Sequence, residues 1–136
     1  MNNQTTLVDA NVILDVVMED QEWCDWSAAM LEQAADSGPL YINPIIYAEV
    51  CVGFGRIEDV DEAIPSSFYR RAELPWSAAF VAARAYRVYR RAGGTRRSPL
   101  PDFYIGAHAA VADFTLLTRD ARRYREYFPT LRLIAP

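Results

Sequence analysis

Short apolar runs alternate along the chain with stretches of helical composition, and this alternation constrains the fold most strongly. Such an order is typical of β-α-β units, in which successive strands lie parallel and helices cover the sheet. We therefore predict an α/β fold with a mainly parallel sheet. The predicted strands are Thr5–Asp9, Leu40–Ile42, Phe68–Leu74, Phe114–Thr118 and Leu131–Ile134.

The predicted helices have recognisable start signals. Asn43 followed by Pro44 predicts a helix start, because Asn caps a first turn and proline suits the first helical position. Asn11 is predicted to cap the first helix in the same way. The predicted helices are Asn11–Met18, Asp20–Ser37, Pro44–Val52, Ile57–Ile64, Ala78–Arg91, Asp102–Asp113 and Arg119–Tyr124.

The length and composition predict a cytoplasmic protein with one domain, residues 1–136. The chain of 136 residues is 51% hydrophobic, which is enough for one core and argues against disorder. No apolar run reaches the ~18 residues that a membrane span needs, and residues 1–4 lack a signal-peptide pattern. Two cysteines without zinc-like spacing are expected to be reduced, and the net charge of −4 gives no overall attraction to nucleic acid.

Four acidic residues differ from the others in their sequence surroundings. The remaining acidic residues, including Asp15, are predicted to be surface charges. Asp9 and Asp120 follow predicted strands, Asp102 begins a helix, and Glu49 lies in an otherwise apolar helix. Each has an ordinary explanation by itself, as a helix cap or a solvated side chain. However, strand ends and helix starts lie at one edge of a parallel sheet, so all four can converge.

Converging carboxylates would repel one another by about 4 kcal/mol per pair at close range. A divalent cation removes this repulsion, and ligands that are all oxygen favour Mg²⁺ or Mn²⁺ over zinc. The residues themselves thus indicate a metal-binding edge of the sheet.

Four stretches together resemble the PIN-domain ribonucleases, and their size and order are most similar to the VapC-type toxins of bacterial toxin–antitoxin pairs. They are Leu7–Leu14, Ile46–Val50, Leu100–Ala107 and Leu117–Asp120. The resemblance implies a three-layer sandwich with a central, mainly parallel sheet of four to five strands. It also implies an endoribonuclease that acts on structured RNA such as tRNA or rRNA, a cognate antitoxin, and a homodimer.

The resemblance also implies roles for individual residues. Both Mg²⁺ and Mn²⁺ are candidate ions, and Asn11 and Thr118 would be supporting hydrogen bonders. The implied metal ligands and catalytic residues are Asp9, Glu49, Asp102 and Asp120.

The arginines suggest a second element of the site, since Arg and Lys typically contact phosphate. Arg96 and Arg97 lie shortly before Asp102, so we predict that they bind the RNA backbone. His108, the only histidine, is given no catalytic role. Four further arginines recur at helical spacing and are predicted to form a solvated helix face: Arg84, Arg87, Arg90 and Arg91.

Three alternatives remain beside the toxin nuclease. One is a housekeeping PIN nuclease that does not act as a toxin, and another is a non-catalytic interaction module on the same fold. A third is a phosphate-switch or phosphatase domain, which also places Asp residues at strand ends around Mg²⁺. The chain contains no lysine, which that third class requires, and it keeps all the acidic residues that a degenerate interaction module should have lost.

Overall fold

The computed structural model describes residues 4–136. The prediction that residues 1–4 are not part of a signal peptide falls mostly on residues 1–3, which lie outside the described residues. In this part of the chain, five strands and seven helices are formed. The strands are β1 (Thr6–Val8), β2 (Leu40–Ile42), β3 (Tyr69–Arg71), β4 (Thr115–Leu117) and β5 (Leu133–Ile134). The helices are α1 (Ala10–Val17), α2 (Cys24–Ser37), α3 (Pro44–Cys51), α4 (Ile57–Ala63), α5 (Trp76–Arg91), α6 (Pro101–Ala112) and α7 (Arg122–Tyr127).

All neighbouring strands pair in parallel, in the order β3-β2-β1-β4-β5. This confirms the predicted three-layer α/β fold with a central parallel sheet. The chain adds β2 and β3 on one side of β1 and then returns to place β4 on the other side, with Val8 opposite Leu117. The strand order therefore reverses between β1 and β4. In open α/β sheets, ligands bind beyond the carboxyl ends of the strands at such a reversal.

The central strands are buried on both faces, as parallel strands covered by helices must be. Leu7, Ile42 and Leu116 are at most 1% exposed, and the helices pack their apolar sides onto them. On α6, Gly106 allows the segment after α7 to approach closely. A Cβ at this position would lie 2.5 Å from the ring of Phe128, so a larger residue would push the two elements apart.

One predicted helix start is confirmed, and another is wrong. Asn43 caps α3, because its Oδ1 accepts a hydrogen bond of 2.9 Å from the backbone N of Ile46. Asn11 does not cap α1: Asp9 takes that position, and its side chain accepts a hydrogen bond from the N of Ala10. The carboxylate that ends the first strand therefore also starts the first helix.

Two other helices begin later in the chain than predicted. The Asp20 carboxylate accepts hydrogen bonds from the backbone N of Glu22 at 3.0 Å and of Trp23 at 2.8 Å. These bonds form a turn, so α2 begins at Cys24. Similarly, α7 begins at Arg122, and residues 119–121 form a loop. Within residues 4–136, no helix has the length and apolar character that crossing a bilayer requires.

Candidate functional site

Asp9 lies at the carboxyl end of β1, where the strand order reverses. Its side chain is 5% exposed and accepts three hydrogen bonds. The backbone N of Ala10 donates to Oδ1 at 2.8 Å, and the hydroxyls of Thr118 and Tyr124 each donate to Oδ2 at 2.9 Å. Its backbone N also donates to the carbonyl of Leu117, at 2.9 Å. Backbone and side chain together fix this carboxylate between β1 and β4.

Asn11 acts on Asp9 through Thr118 and does not contact it directly. Its Nδ2 donates to the Thr118 hydroxyl at 3.3 Å, and its Oδ1 accepts from the backbone N of Arg119 at 3.1 Å. The Thr118 hydroxyl also accepts from the N of Asp120 at 3.2 Å. A hydroxyl has one proton to donate. With its acceptor positions filled by amides, Thr118 is left to direct that proton towards Asp9.

Glu49 on α3 and Asp102 on α6 lie near Asp9, and we call the space between these three carboxylates the crevice. The Oε1 atom of Glu49 is buried and has no hydrogen-bond partner among residues 4–136. Asp102, half-buried, forms an ion pair with Arg123 through Oδ2 at 3.2 Å. The hydroxyl of Tyr124 lies between the two aspartates, 2.9 Å from Asp9 and 3.5 Å from the Oδ1 of Asp102. One carboxylate in the crevice is therefore unpartnered, and another is held by arginine.

The pKa values show that three of the carboxylates act on one another. Burial raises the pKa of Asp9 to about 6, although the hydrogen bonds from Tyr124 and Thr118 oppose it, and the charge of Asp102 raises it further. Burial also raises the pKa of Glu49 to about 7, with added contributions from the charges of Asp9 and Asp102. The pKa of Asp102 is raised by burial despite the neighbouring Arg123. Burial is the largest cause of this common direction, and the proximity of like charges adds to it.

Asp120 lies at the mouth of the crevice, in the loop between β4 and α7. Its side chain is exposed, and its Oδ1 accepts a hydrogen bond of 3.4 Å from the backbone N of Arg122. Its charge contributes to the raised pKa of Asp102, which places the two side chains near each other. The structure thus brings Asp9, Glu49 and Asp102 together inside the crevice, with Asp120 at its rim.

The crevice has the donor chemistry of a site for a hard cation, but its side chains are not arranged around one. Within residues 4–136, no three acidic, histidine or cysteine side chains stand close enough to hold a single ion. Arg123 and Tyr124 form hydrogen bonds with the carboxylate oxygens of Asp102 and Asp9 that would have to bind the ion. All the candidate ligands are carboxylates, and the buried oxygen of Glu49 lacks a partner that a cation would supply. The residues therefore fit Mg²⁺ or Mn²⁺ in kind and charge.

His108 and the predicted RNA-binding arginines lie outside this cluster. The ring of His108 is buried and shares a hydrogen bond of 3.0 Å with the Nδ2 of Asn43, which accounts for it structurally. Arg96 and Arg97 are exposed, in the loop that leads to α6. Their proposed contact with RNA stays a prediction.

An ion pair that the sequence did not predict lies beside the site, between a buried carboxylate and a partly exposed arginine. Asp15 was predicted to be a surface charge, which is wrong: it is 2% exposed on α1. The Nε and Nη2 of Arg119 donate to its two carboxylate oxygens at 2.8 and 3.0 Å, and the Ser27 hydroxyl donates at 2.8 Å. Arg119 lies between Thr118 and Asp120 in one loop. Its ion pair with Asp15 therefore anchors this loop to α1, and the bond from Ser27 adds a link to α2. In the sequence, the only sign of a role for Arg119 was its position next to Thr118 and Asp120.

Arg123 and Tyr124 were missed as well. Tyr124 is 1% exposed and contacts two of the candidate ligands. Burial and the surrounding carboxylates hold its pKa well above its usual range, so the hydroxyl remains a donor. Nothing in the sequence around Tyr124 distinguishes it from an ordinary core aromatic on a short helix.

A parallel sheet with an acidic crevice at its topological switch point defines a class of α/β proteins with a candidate metal site. The sequence profile of the PIN domain matches residues 6–128. The chain therefore belongs to the PIN-domain family. Among curated protein sequences, none matches the chain.

Several solved structures share the fold. The chain is similar to VapBC2 from Rickettsia felis bound to a DNA fragment from their promoter, with 17% identity, coverage of 98% of this chain and 99% of that chain, and a TM-score of 0.76. It is also similar to VapBC-1 from nontypeable Haemophilus influenzae, with 15% identity, coverage of 97% and 98%, and a TM-score of 0.73. FitAcB from Neisseria gonorrhoeae gives 20% identity, coverage of 95% and 96%, and a TM-score of 0.64. At these identities, the likeness establishes the fold.

The Asp15–Arg119 pair predicts a large asymmetry between removing one partner and removing both. Arg119→Met leaves the buried Asp15 charge with only the Ser27 hydroxyl, and we expect a loss of about 3 kcal/mol in the free energy of unfolding. Adding Asp15→Leu should recover part of that loss, since no buried charge remains. Urea unfolding of the two single variants and the double variant measures the coupling.

The control is Arg56→Met, which breaks the exposed pair with Glu58. It should cost less than about 1 kcal/mol. Equal losses for Arg119→Met and Arg56→Met would contradict a special role for the buried pair.

The raised pKa of Asp9 predicts that its charge destabilises the metal-free protein. A carboxyl whose pKa rises from about 3.9 when unfolded to about 6 when folded stabilises the fold fully below pH 4. That contribution is lost as the pH rises through 6, and it amounts to about 3 kcal/mol. Asp9→Asn cannot titrate, so its stability relative to wild type should increase between pH 4.5 and pH 7.5.

Urea unfolding in EDTA at both pH values tests this. The lowered pKa of His108, caused by burial, opposes the trend but is common to both proteins and cancels in their difference. If the difference in free energy of unfolding between Asp9→Asn and wild type is the same at both pH values, the charge of Asp9 does not destabilise the fold.

Proposed function

We propose that this PIN-domain protein is a metal-dependent endoribonuclease and the toxin of a toxin–antitoxin pair. The observation that carries the proposal is the meeting of Asp9, Glu49 and Asp102 at the reversal of strand order, with raised pKa values and an unpartnered buried oxygen. Membership of the PIN-domain family supports a hydrolase that acts on nucleic acid. Intact carboxylates disfavour a non-catalytic interaction module.

The ligands of the cation would be Asp9, Glu49 and Asp102, with Asp120 acting through water or on a second ion. When bound, Mg²⁺ or Mn²⁺ supplies a water of lowered pKa and stabilises charge on the phosphate oxygens. Other residues of the site orient these ligands. Thr118, oriented by Asn11, keeps Asp9 turned towards the crevice.

Arg123 and Tyr124 contact the carboxylates that would bind the cation. Arg123 partly neutralises Asp102 by their ion pair, and the Tyr124 hydroxyl lies between Asp102 and Asp9. Both contacts are hydrogen bonds to carboxylate oxygens that a cation would take over. Proton transfer then needs no side-chain base, which agrees with the absence of lysine and with the distant, hydrogen-bonded His108.

Loss of a ligand carboxylate should abolish RNA cleavage. Asp9→Asn and Asp102→Asn each remove one negative charge and keep the side-chain shape. We expect both to reduce cleavage of bulk tRNA or rRNA by at least about 10²-fold with Mg²⁺ or Mn²⁺, and wild type to leave 5′-phosphate and 3′-hydroxyl ends. Gel electrophoresis with end-group analysis measures this.

Asp113→Asn is the matched control, since Asp113 is an exposed acid paired with an exposed Arg132. Its activity should equal that of wild type. Cleavage that persists in both Asp9→Asn and Asp102→Asn would rule out the metal mechanism.

The toxin role and the antitoxin partner rest on the resemblance to VapC-type toxins and on the likeness of fold to chains from VapBC and FitAcB structures. We propose a cytoplasmic site of action, a cognate antitoxin and a homodimer on the same grounds. The alternative from the same family is a housekeeping nuclease, which would cleave RNA without stopping growth.

Expression in a bacterial cytoplasm separates these two roles. Wild type should arrest growth, and Asp9→Asn should not. Co-expression of the product of a short reading frame directly upstream should restore growth. Normal growth with wild type at an expression level where the purified protein cleaves RNA would favour the housekeeping role.

A further inference from the structure

The two halves of the chain carry opposite charge. Residues 1–75 contain three arginines and fourteen of the eighteen acidic residues, whereas residues 76–136 contain eleven arginines and four acidic residues. The net charge of −4 therefore hides a strongly basic half. In a protein of net negative charge, a polyanion is attracted most strongly to surfaces where arginines outnumber acidic residues.

Part of the basic half is a surface that we name the arginine ridge: Arg84, Arg87 and Arg91 of α5, and Arg96 and Arg97 of the following loop. All five are exposed. Residues 76–101, which include α5 and this loop, contain no acidic residue. In the part of the chain that the structure describes, none of the five forms an ion pair with an acidic side chain.

The helix holds three of these arginines on one face. Arg84, Arg87 and Arg91 are spaced three and four residues apart, so they project from one side of α5 over a length of about 10 Å. The opposite side is buried through Ala78, Ala82 and Ala85. From its helical spacing, this face was predicted to be solvated, and its exposure agrees with that prediction.

The loop is fixed to the end of α5 by polar contacts. The hydroxyl of Tyr86 donates to the carbonyl of Arg96 at 2.7 Å, and Nη1 of Arg90 donates to the carbonyls of Gly94 and Arg96, both at 3.2 Å. Arg90 is thus used within the protein and is left out of the ridge. Tyr89 packs on Phe103 with ring centroids 5.6 Å apart, which ties α5 to α6.

The ridge leads directly to the carboxylates. The fixed loop ends at Pro101, the first residue of α6, and Asp102 follows it. Beyond Asp102, the arginines of α7 continue the basic surface, and Arg123 already contacts Asp102. The end of the ridge is therefore connected to the helix start that carries Asp102.

We propose that the arginine ridge binds the sugar–phosphate backbone of RNA away from the cleaved bond. This inference rests on the proposed nuclease function and adds the surface that holds its substrate. Contacts from guanidinium to phosphate give affinity without base specificity. An acidic protein surface could also match the ridge by charge, but RNA fits better because the ridge ends at the candidate phosphodiesterase site.

Binding can be measured without cleavage. The probe is fluorescently labelled bulk tRNA in EDTA, the protein carries Asp9→Asn, and fluorescence anisotropy is followed over a range of salt concentrations. Arg87→Gln/Arg91→Gln should weaken binding by about tenfold or more at low salt. It should also reduce the slope of log affinity against log salt by about 1.4 to 1.8, because each phosphate contact contributes 0.7 to 0.9.

Arg56→Gln/Arg70→Gln is the matched control, since both arginines are exposed and lie outside the basic half. This variant should keep the salt slope of the parent. Equal losses of tRNA affinity in the two double variants would mean that only net charge matters, which would contradict the proposed role of the ridge. Unchanged tRNA binding in Arg87→Gln/Arg91→Gln, together with loss of self-association in sedimentation, would assign the face to protein contacts and also overturns it.

A second measurement separates this inference from the proposed function. With Asp9 restored and Mn²⁺ present, Arg87→Gln/Arg91→Gln should raise KM for tRNA cleavage and leave kcat unchanged. If wild type cleaves no RNA while the ridge variant still shows the reduced salt slope, the nuclease proposal fails and the ridge stands. If wild type cleaves RNA and the slope is unaffected, the nuclease proposal stands and the ridge fails.

Discussion

The hydrogen bond from Thr118 to the buried carboxylate of Asp9 is the contact on which the site depends. It joins the residues that follow β1 and β4, the strands between which the sheet order reverses. Asn11 is bound to the same hydroxyl, and Tyr124 to the same carboxylate oxygen. A change in the pairing of β1 with β4 would therefore displace the first candidate ligand and its supporting residues together.

The same arrangement concentrates charge that the fold does not neutralise. Asp9 and Glu49 have raised pKa values, and the Oε1 of Glu49 has no partner among the described residues. Buried polar groups are normally paired, so such exceptions mark places where function opposes stability. The buried Asp15–Arg119 pair differs, because its charges are matched at close range. It stabilises the loop beside a crevice that is itself destabilised.

Local signals predicted the fold well, and long-range partners explain what they missed. The cap at Asn43 depends on neighbours three residues away, and it was predicted correctly. Asp15 was misjudged because its partner, Arg119, lies 104 positions along the chain. Tyr124 was missed for the same reason, since its bond to Asp9 spans 115 positions. The four carboxylates were singled out because strand ends and helix starts share one edge of a parallel sheet, and their role as metal ligands stays a prediction.

Total charge does not describe how the charges are distributed over this chain. A net charge of −4 argues against nucleic acid only if the charges are evenly mixed, and here they are divided along the chain. Interactions between exposed charges are screened beyond about 8 Å at physiological salt, so a bound phosphate responds to the nearest arginines far more than to the distant acidic half. The acidic half can still exclude polyanions from the other faces. An acidic chain can thus present a basic surface beside candidate metal ligands, which is the arrangement that the proposed RNA binding requires.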